Sequence, residues 1–229
     1  MSTQPWKNAG ASEPGGWGPR ESQGPEAPIQ DPERTAKVGL WVFLGVVTAL
    51  FLLFLLAFIA RSQVSDWRPL TDPLAPLAHP WMLWVNTALL ALGSACLQWA
   101  NGAMRRDQMG TSTLAFLLGG AFAMAFLAGQ LWVWQQFAAW GYAVSGNPAN
   151  SFFYLLTGLH GLHLAGGLVV WAVVAQRMLR HGPMKRMRTG MELCAFYWHY
   201  LLGLWLVLFA LLTSTPETYQ AIAAFCGLR

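Results

Sequence analysis

A chain of 229 residues in which 55% are hydrophobic and only 10% are charged has longer apolar runs than the core of a soluble domain of this size would use. Three scattered cysteines, Cys96, Cys194 and Cys226, with no CxxC spacing, exclude a disulfide framework and a structural zinc site. The formal net charge of +4 does not require nucleic acid, because the basic residues fall where membrane topology wants them.

Residues 1–36, rich in Pro, Gly, Glu and Ser, cannot bury enough apolar surface to offset their ordering entropy and are expected to be a disordered tail. They lack the layout of a signal peptide, so the first apolar run is expected to stay in the mature protein. That run, Gly39 to Ala60, carries no charge. A hydrocarbon core about 30 Å thick takes roughly 20 helical residues to cross, and this segment is long enough. The following loop holds Pro69, Pro73, Pro76 and Pro80, which block a helix, and Trp67, Trp81 and Trp84, which suit the headgroup level. Further spans follow at Trp81 to Met104, Leu114 to Ala138, Ser151 to Gln176 and Glu192 to Leu212. Gly141, Gly146 and Pro148 provide the turn before the fourth. Lipid would leave an open sheet edge unpaired, so the fold class is all-α: a five-helix transmembrane domain over residues 37–215, then a short outer tail, 216–229.

Basic residues set the orientation. Lys7, Arg20, Arg34 and Lys37 precede the first span, Arg105 and Arg106 separate the second from the third, and Arg177, Arg180, Lys185, Arg186 and Arg188 separate the fourth from the fifth. Only Arg61, Arg68 and Arg229 lie on the other side. Short loops rich in Lys and Arg stay in the cytoplasm, which predicts an inner N-terminus and an outer, periplasmic C-terminus.

Polar groups inside the spans are few, and each needs a reason. Thr48 can bond a preceding carbonyl of its own helix. The second span holds Asn86, Thr87, Ser94 and Gln98, and the third Gln130, Gln135 and Gln136. In the fourth, His160 and His163 stand three residues apart on neighbouring turns. They could bind a metal or haem, but no carboxylate or thiolate lies nearby in sequence, and hydrogen bonds across helices or to lipid headgroups fit them better. Gly158, Gly161, Ala165, Gly166 and Gly167 leave room for a close helix neighbour. Glu192 and His199 share a face of the fifth span but lie about 10 Å apart along the axis, so each needs its own partner. Snorkelling or a basic loop residue would serve Glu192. A proton relay built on that single acid is a weaker reading. Cys96 and Cys194 read as small buried apolar residues.

Two motifs together resemble subunit III of cytochrome c oxidase and related haem–copper terminal oxidases. The run from Phe152 to His163 is similar to that family's "FF-x-x-TG-x-HG-x-H" segment, and Tyr197-Trp198-His199 followed by Trp205 to its "YWH" helix. Gly39 to Leu44, Asn86-Thr87 and Gln130 match more weakly in the same order, and the likeness covers residues 37–213. The resemblance implies a non-catalytic subunit of a proton-translocating oxidoreductase complex, without catalytic, cofactor-binding or metal-ligating residues of its own. Haem and copper would reside in partner subunits, above all the catalytic subunit I. Subunit III would hold phospholipids between its helices, support proton uptake and protect the active site during turnover. His160, His163, Glu192 and His199 would match family polar positions lining the bundle and its lipid contacts. The five-span form resembles bacterial versions, which implies a bacterial plasma membrane.

The chain departs from the family where acids are usual. Val47, Val133 and Leu201-Leu202 stand where a Glu, a second Glu and a Val-Asp pair are common. Each change removes polarity, which shifts the expected role towards assembly and lipid retention. The nearest alternative is an accessory subunit of a nitric oxide reductase or quinol oxidase. Two other classes compete: an independent haem or metal enzyme using His160, His163 and His199, and a channel or transporter. The transporter reading lacks broken helices, charged pore rings and paired repeats.

Overall fold

A computed structural model describes residues 32–71, 77, 80–180, 184–225 and 227. The segment 1–31, Pro73, Pro76 and Cys226 lie outside the described residues. The described residues form six helices: α1 Pro32–Arg61, α2 Trp81–Arg105, α3 Met109–Ala139, α4 Pro148–Leu179, α5 Met184–Leu212 and α6 Pro216–Phe225. No strand occurs among the described residues. The first five are long and apolar enough to cross a bilayer.

Most helices run further than the apolar pattern alone indicates. α1 begins at Pro32, inside the segment read as a tail, because proline's fixed φ suits the first helical position and its missing N–H costs nothing there. α4 begins at Pro148 rather than Ser151 for the same reason, with Asn147 as its cap: the Asn147 Oδ1 accepts the Ala149 N–H at 3.2 Å. The same amide donates to the Arg68 carbonyl at 2.6 Å, which pins the loop after α1 to the start of α4.

The α2–α3 connection is only Arg106 to Gln108. Asp107 takes a positive φ of 57°, a conformation that Asp tolerates better than most residues. The turn thereby lets the Gln108 N–H reach the Ala103 carbonyl at 3.0 Å. So tight a turn makes an antiparallel pair, and α2 and α3 pack most extensively of all. Their axes approach at two glycines: a Cβ on Gly93 would lie 3.1 Å from the Gly119 carbonyl, and one on Gly119 2.7 Å from Leu97. Small residues at such crossings gain dispersion contacts, the main attraction between helices in lipid.

α2, α3, α4 and α5 close a ring, each packed on the next and α5 back on α2. Their interior holds the largest enclosed side chains, Trp198, Trp205, Phe116, Phe126 and Phe153. α1 stands outside the ring against α4 and α5. It buries a single stripe, Leu44, Val47, Phe51 and Phe58, while Trp41, Val42, Val46, Leu50 and Leu53 face outward. At the C-terminal end of α1 Phe58 meets Trp67, Phe152 and Tyr219 edge-on at 5.0, 5.6 and 5.3 Å. That aromatic knot joins α1, the loop that follows it, α4 and α6. On the same side Asp66 accepts both Arg61 guanidinium N–H groups at 2.6 Å, which holds its carboxyl below the usual carboxylate range.

Candidate functional site

The fourth span carries two imidazoles into two different environments. Three residues along a helix turn the chain through about 300°, so neighbours at that spacing diverge by roughly 60°. His160 points into the ring, with no accessible surface. Its imidazole lies 5.1 Å from the Trp205 ring and 5.8 Å from that of Phe126. Around it Asn86 donates to the Gln130 side chain at 3.2 Å, and the Trp205 indole donates to Thr87 at 2.9 Å. On the outer side of this level the Trp134 indole donates to Thr157 at 3.1 Å. Every ring helix thus contributes a polar group to one stretch of the core.

His163 faces α1 instead. Its ring lies 5.6 Å from Phe51 and 6.2 Å from Phe43, and its Nδ1 donates to the Leu159 carbonyl at 2.7 Å. A carbonyl only accepts, so Nδ1 is the donor in that bond. Beside it opens an apolar cavity of about 490 Å³ between α1, α4 and α5. Leu40 and Phe43 form one wall, and Leu162, Gly166, Gly167 and Val170 another. Tyr197 closes the third and donates to the His163 carbonyl at 2.9 Å. Gly167 makes that seat possible, since a Cβ there would lie 2.6 Å from the Tyr197 ring.

Near the C-terminal end of α2 Glu192 sits 3.5 Å from Arg105. Arg105 ends α2, so the basic loop does supply the partner the acid needs. His199, seven residues on, is exposed and donates to the Ala195 carbonyl of its own helix at 2.5 Å. Thr48 bonds the Leu44 carbonyl at 2.7 Å as its position suggests, and the Tyr200 hydroxyl at 2.8 Å besides.

The His163 ring bonds a carbonyl four residues earlier in its own helix, and His199 finds its own partner in the same way. His163 lies fifteen residues from Pro148 and sixteen from Leu179, roughly 23 Å from either end. His160, His163 and His199 do not converge, and no group of three His, Cys, Asp or Glu able to hold a metal occurs among the described residues. Gly158 does meet Trp134 closely, at 3.2 Å from a built Cβ, and Gly161 makes ordinary contact with Leu127; Ala165 is half-buried. Tighter approaches fall on Gly120 and Gly129, which sequence reading passed over. The cavity walls Leu40, Phe43 and Val170 gave no separate signal, since an apolar residue facing a groove and one facing lipid look alike. Val47, Val133 and Leu201 are buried, so acids at those places would stand in the apolar interior. Cys194 is buried and Cys96 half-buried.

Five lipid-length helices, a buried polar level and an apolar groove define a polytopic membrane bundle built to pack and to be packed against. The sequence profile described as "Cytochrome c oxidase subunit III" matches residues 30–214. Among similar proteins, cytochrome c oxidase subunit 3 of Synechocystis sp. is 32% identical over 175 residues, covering 76% of this chain and 72% of that one. A probable cytochrome c oxidase subunit 3 of Nocardia farcinica is 32% identical over 164 residues, covering 69% and 76%. The subunit 3 of Thermostichus vulcanus is 27% identical over 177 residues, covering 76% and 85%. The chain belongs to the cytochrome c oxidase subunit III family, whose members are subunits of an oxidoreductase complex.

Proposed function

We infer that this protein is the accessory subunit III of a haem–copper terminal oxidase in a bacterial plasma membrane. There it buttresses the catalytic subunit I and retains phospholipid, while haem and copper remain in the partner subunits. The observation that carries the reading is the family match, which extends over all five long helices. Bacterial relatives named as oxidase subunits support the bacterial setting. The lysines and arginines at the α2–α3 and α4–α5 connections support an inner N-terminus.

The groove between α1, α4 and α5 supports the lipid-holding part. Its walls are apolar, which suits hydrocarbon better than a phosphate. Support of proton uptake falls to Glu192, the acid beside Arg105 at the inner edge. Glu192→Gln is expected to slow turnover of the complex; unchanged turnover assigns the acid a purely structural role.

The decisive experiment is purification of the tagged chain from native membranes in mild detergent. A large haem-bearing subunit should accompany it, visible in the reduced-minus-oxidised spectrum. Recovery of the chain without any haem protein, or of a chain that is itself haem-bearing, overturns the assignment.

A further inference from the structure

Within the ring of α2 to α5 the hydrogen-bond accounts do not close. Asn86 and the Gln130 side-chain oxygen satisfy one another, as do Trp205 and Thr87. Gln130 Nε2 and both ring nitrogens of His160, however, are fully enclosed and have no partner among the described residues. His160 does not take the solution its neighbours take, for His163 and His199 each spend a nitrogen on a carbonyl of their own helix.

The register of α3 against α4 places Gln130 and His160 in one stretch of the core. Phe126 stands against His160, and Trp134 against Thr157 and Gly158. Gln130 lies on the same buried face of α3, one turn from each. A neutral imidazole presents one donor and one acceptor, and the free amide nitrogen presents donors. Leaving such groups dry is costly in an interior that lipid surrounds. Their complement must be small enough for an enclosed place and must both donate and accept.

The geometry points to an internal water site in the bundle, held between the His160 imidazole and the Gln130 amide. A lipid cannot enter a place without accessible surface, and a cation would need convergent anionic or imidazole ligands that the described residues do not bring together. Water satisfies both sides, accepting from Gln130 Nε2 and exchanging hydrogen bonds with His160. It adds a polar tie between α3 and α4 deep in the bundle, where lipid supplies no hydrophobic drive for helices to associate.

The proposal rests on the fold and not on the oxidase assignment, and its test is likewise separate. A cryo-EM map of the assembly in which the chain is purified, sharp enough to resolve ordered water, should show density about 3 Å from a His160 ring nitrogen and from Gln130 Nε2. Absence of density there, or a direct His160–Gln130 hydrogen bond, overturns the site. In a second arm His160→Phe should lose the density and lower the temperature at which the chain leaves the assembly, while His160→Gln, which can still hold water, should fall less. A His160→Phe midpoint at or above that of the unaltered protein overturns it too. If the phenylalanine variant does not accumulate, the map of the unaltered protein decides.

Discussion

A methyl group on Gly120 would lie 2.1 Å from Cε2 of Trp171, whose indole donates to the Phe116 carbonyl at 2.9 Å and stacks on the Phe116 ring. The tryptophan is rigid and hemmed in, so it cannot yield by rotating a flexible end. Gly120→Ala should therefore cost about 1–3 kcal/mol through overpacking, measured as a lower thermal midpoint of the purified assembly. Gly166→Ala is the matched control, since nothing lies within 4 Å of a Cβ built there; it should leave stability unchanged. The two glycines look equivalent in sequence, and only the neighbouring helix separates them. The divergence of His160 and His163 was hidden for a similar reason: spacing three puts both on one side of a helix, but the boundary between the ring and the α1 groove falls between them.

At the scale of elements, the bilayer made five helices legible, because a run of apolar residues long enough to cross lipid has no other stable form. Their ends were less legible. α5 reaches back to Met184 through a basic stretch that hydropathy leaves outside. α6 has ten residues and a mixed composition, and it depends on contact: Tyr219 is 5% exposed, packs on Phe58 and donates to the Leu211 carbonyl at 2.9 Å. Burial pushes the Tyr219 phenol up to about 12. A raised folded value means its contribution is fully present below the ordinary value of 10.0 and is lost as pH rises towards 12. Alkaline titration should release α6 in that window, read as protease sensitivity after Leu212. Tyr219→Phe should remove the alkaline transition while costing about 1 kcal/mol for the lost hydrogen bond. Phe58→Ala, which empties the centre of the aromatic knot, should cost about 3–5 kcal/mol and expose the α1–α2 loop to the same protease at neutral pH.

For the whole molecule, the arrangement is a closed ring of four helices with a fifth held at its side. Filling the groove tests whether that side is where fatty chains reside: Val170→Trp should lower the phospholipid retained per assembly, counted by mass spectrometry, with little change in the ring's own stability. Equal phospholipid content would place the retained lipids elsewhere. Family membership was readable from motifs on α4 and α5, yet the groove was not, because it arises only when α1 leans across both of them.

The position of α1 also fixes an order of events during synthesis. It leaves the ribosome before the other four long helices, but it packs on α4, α5 and α6, all of which follow α2 and α3 in the chain. This helix must therefore stay in the membrane as a solitary rod while α2 and α3 pair through their short turn, and it finds its place only after α4 and α5 have been made.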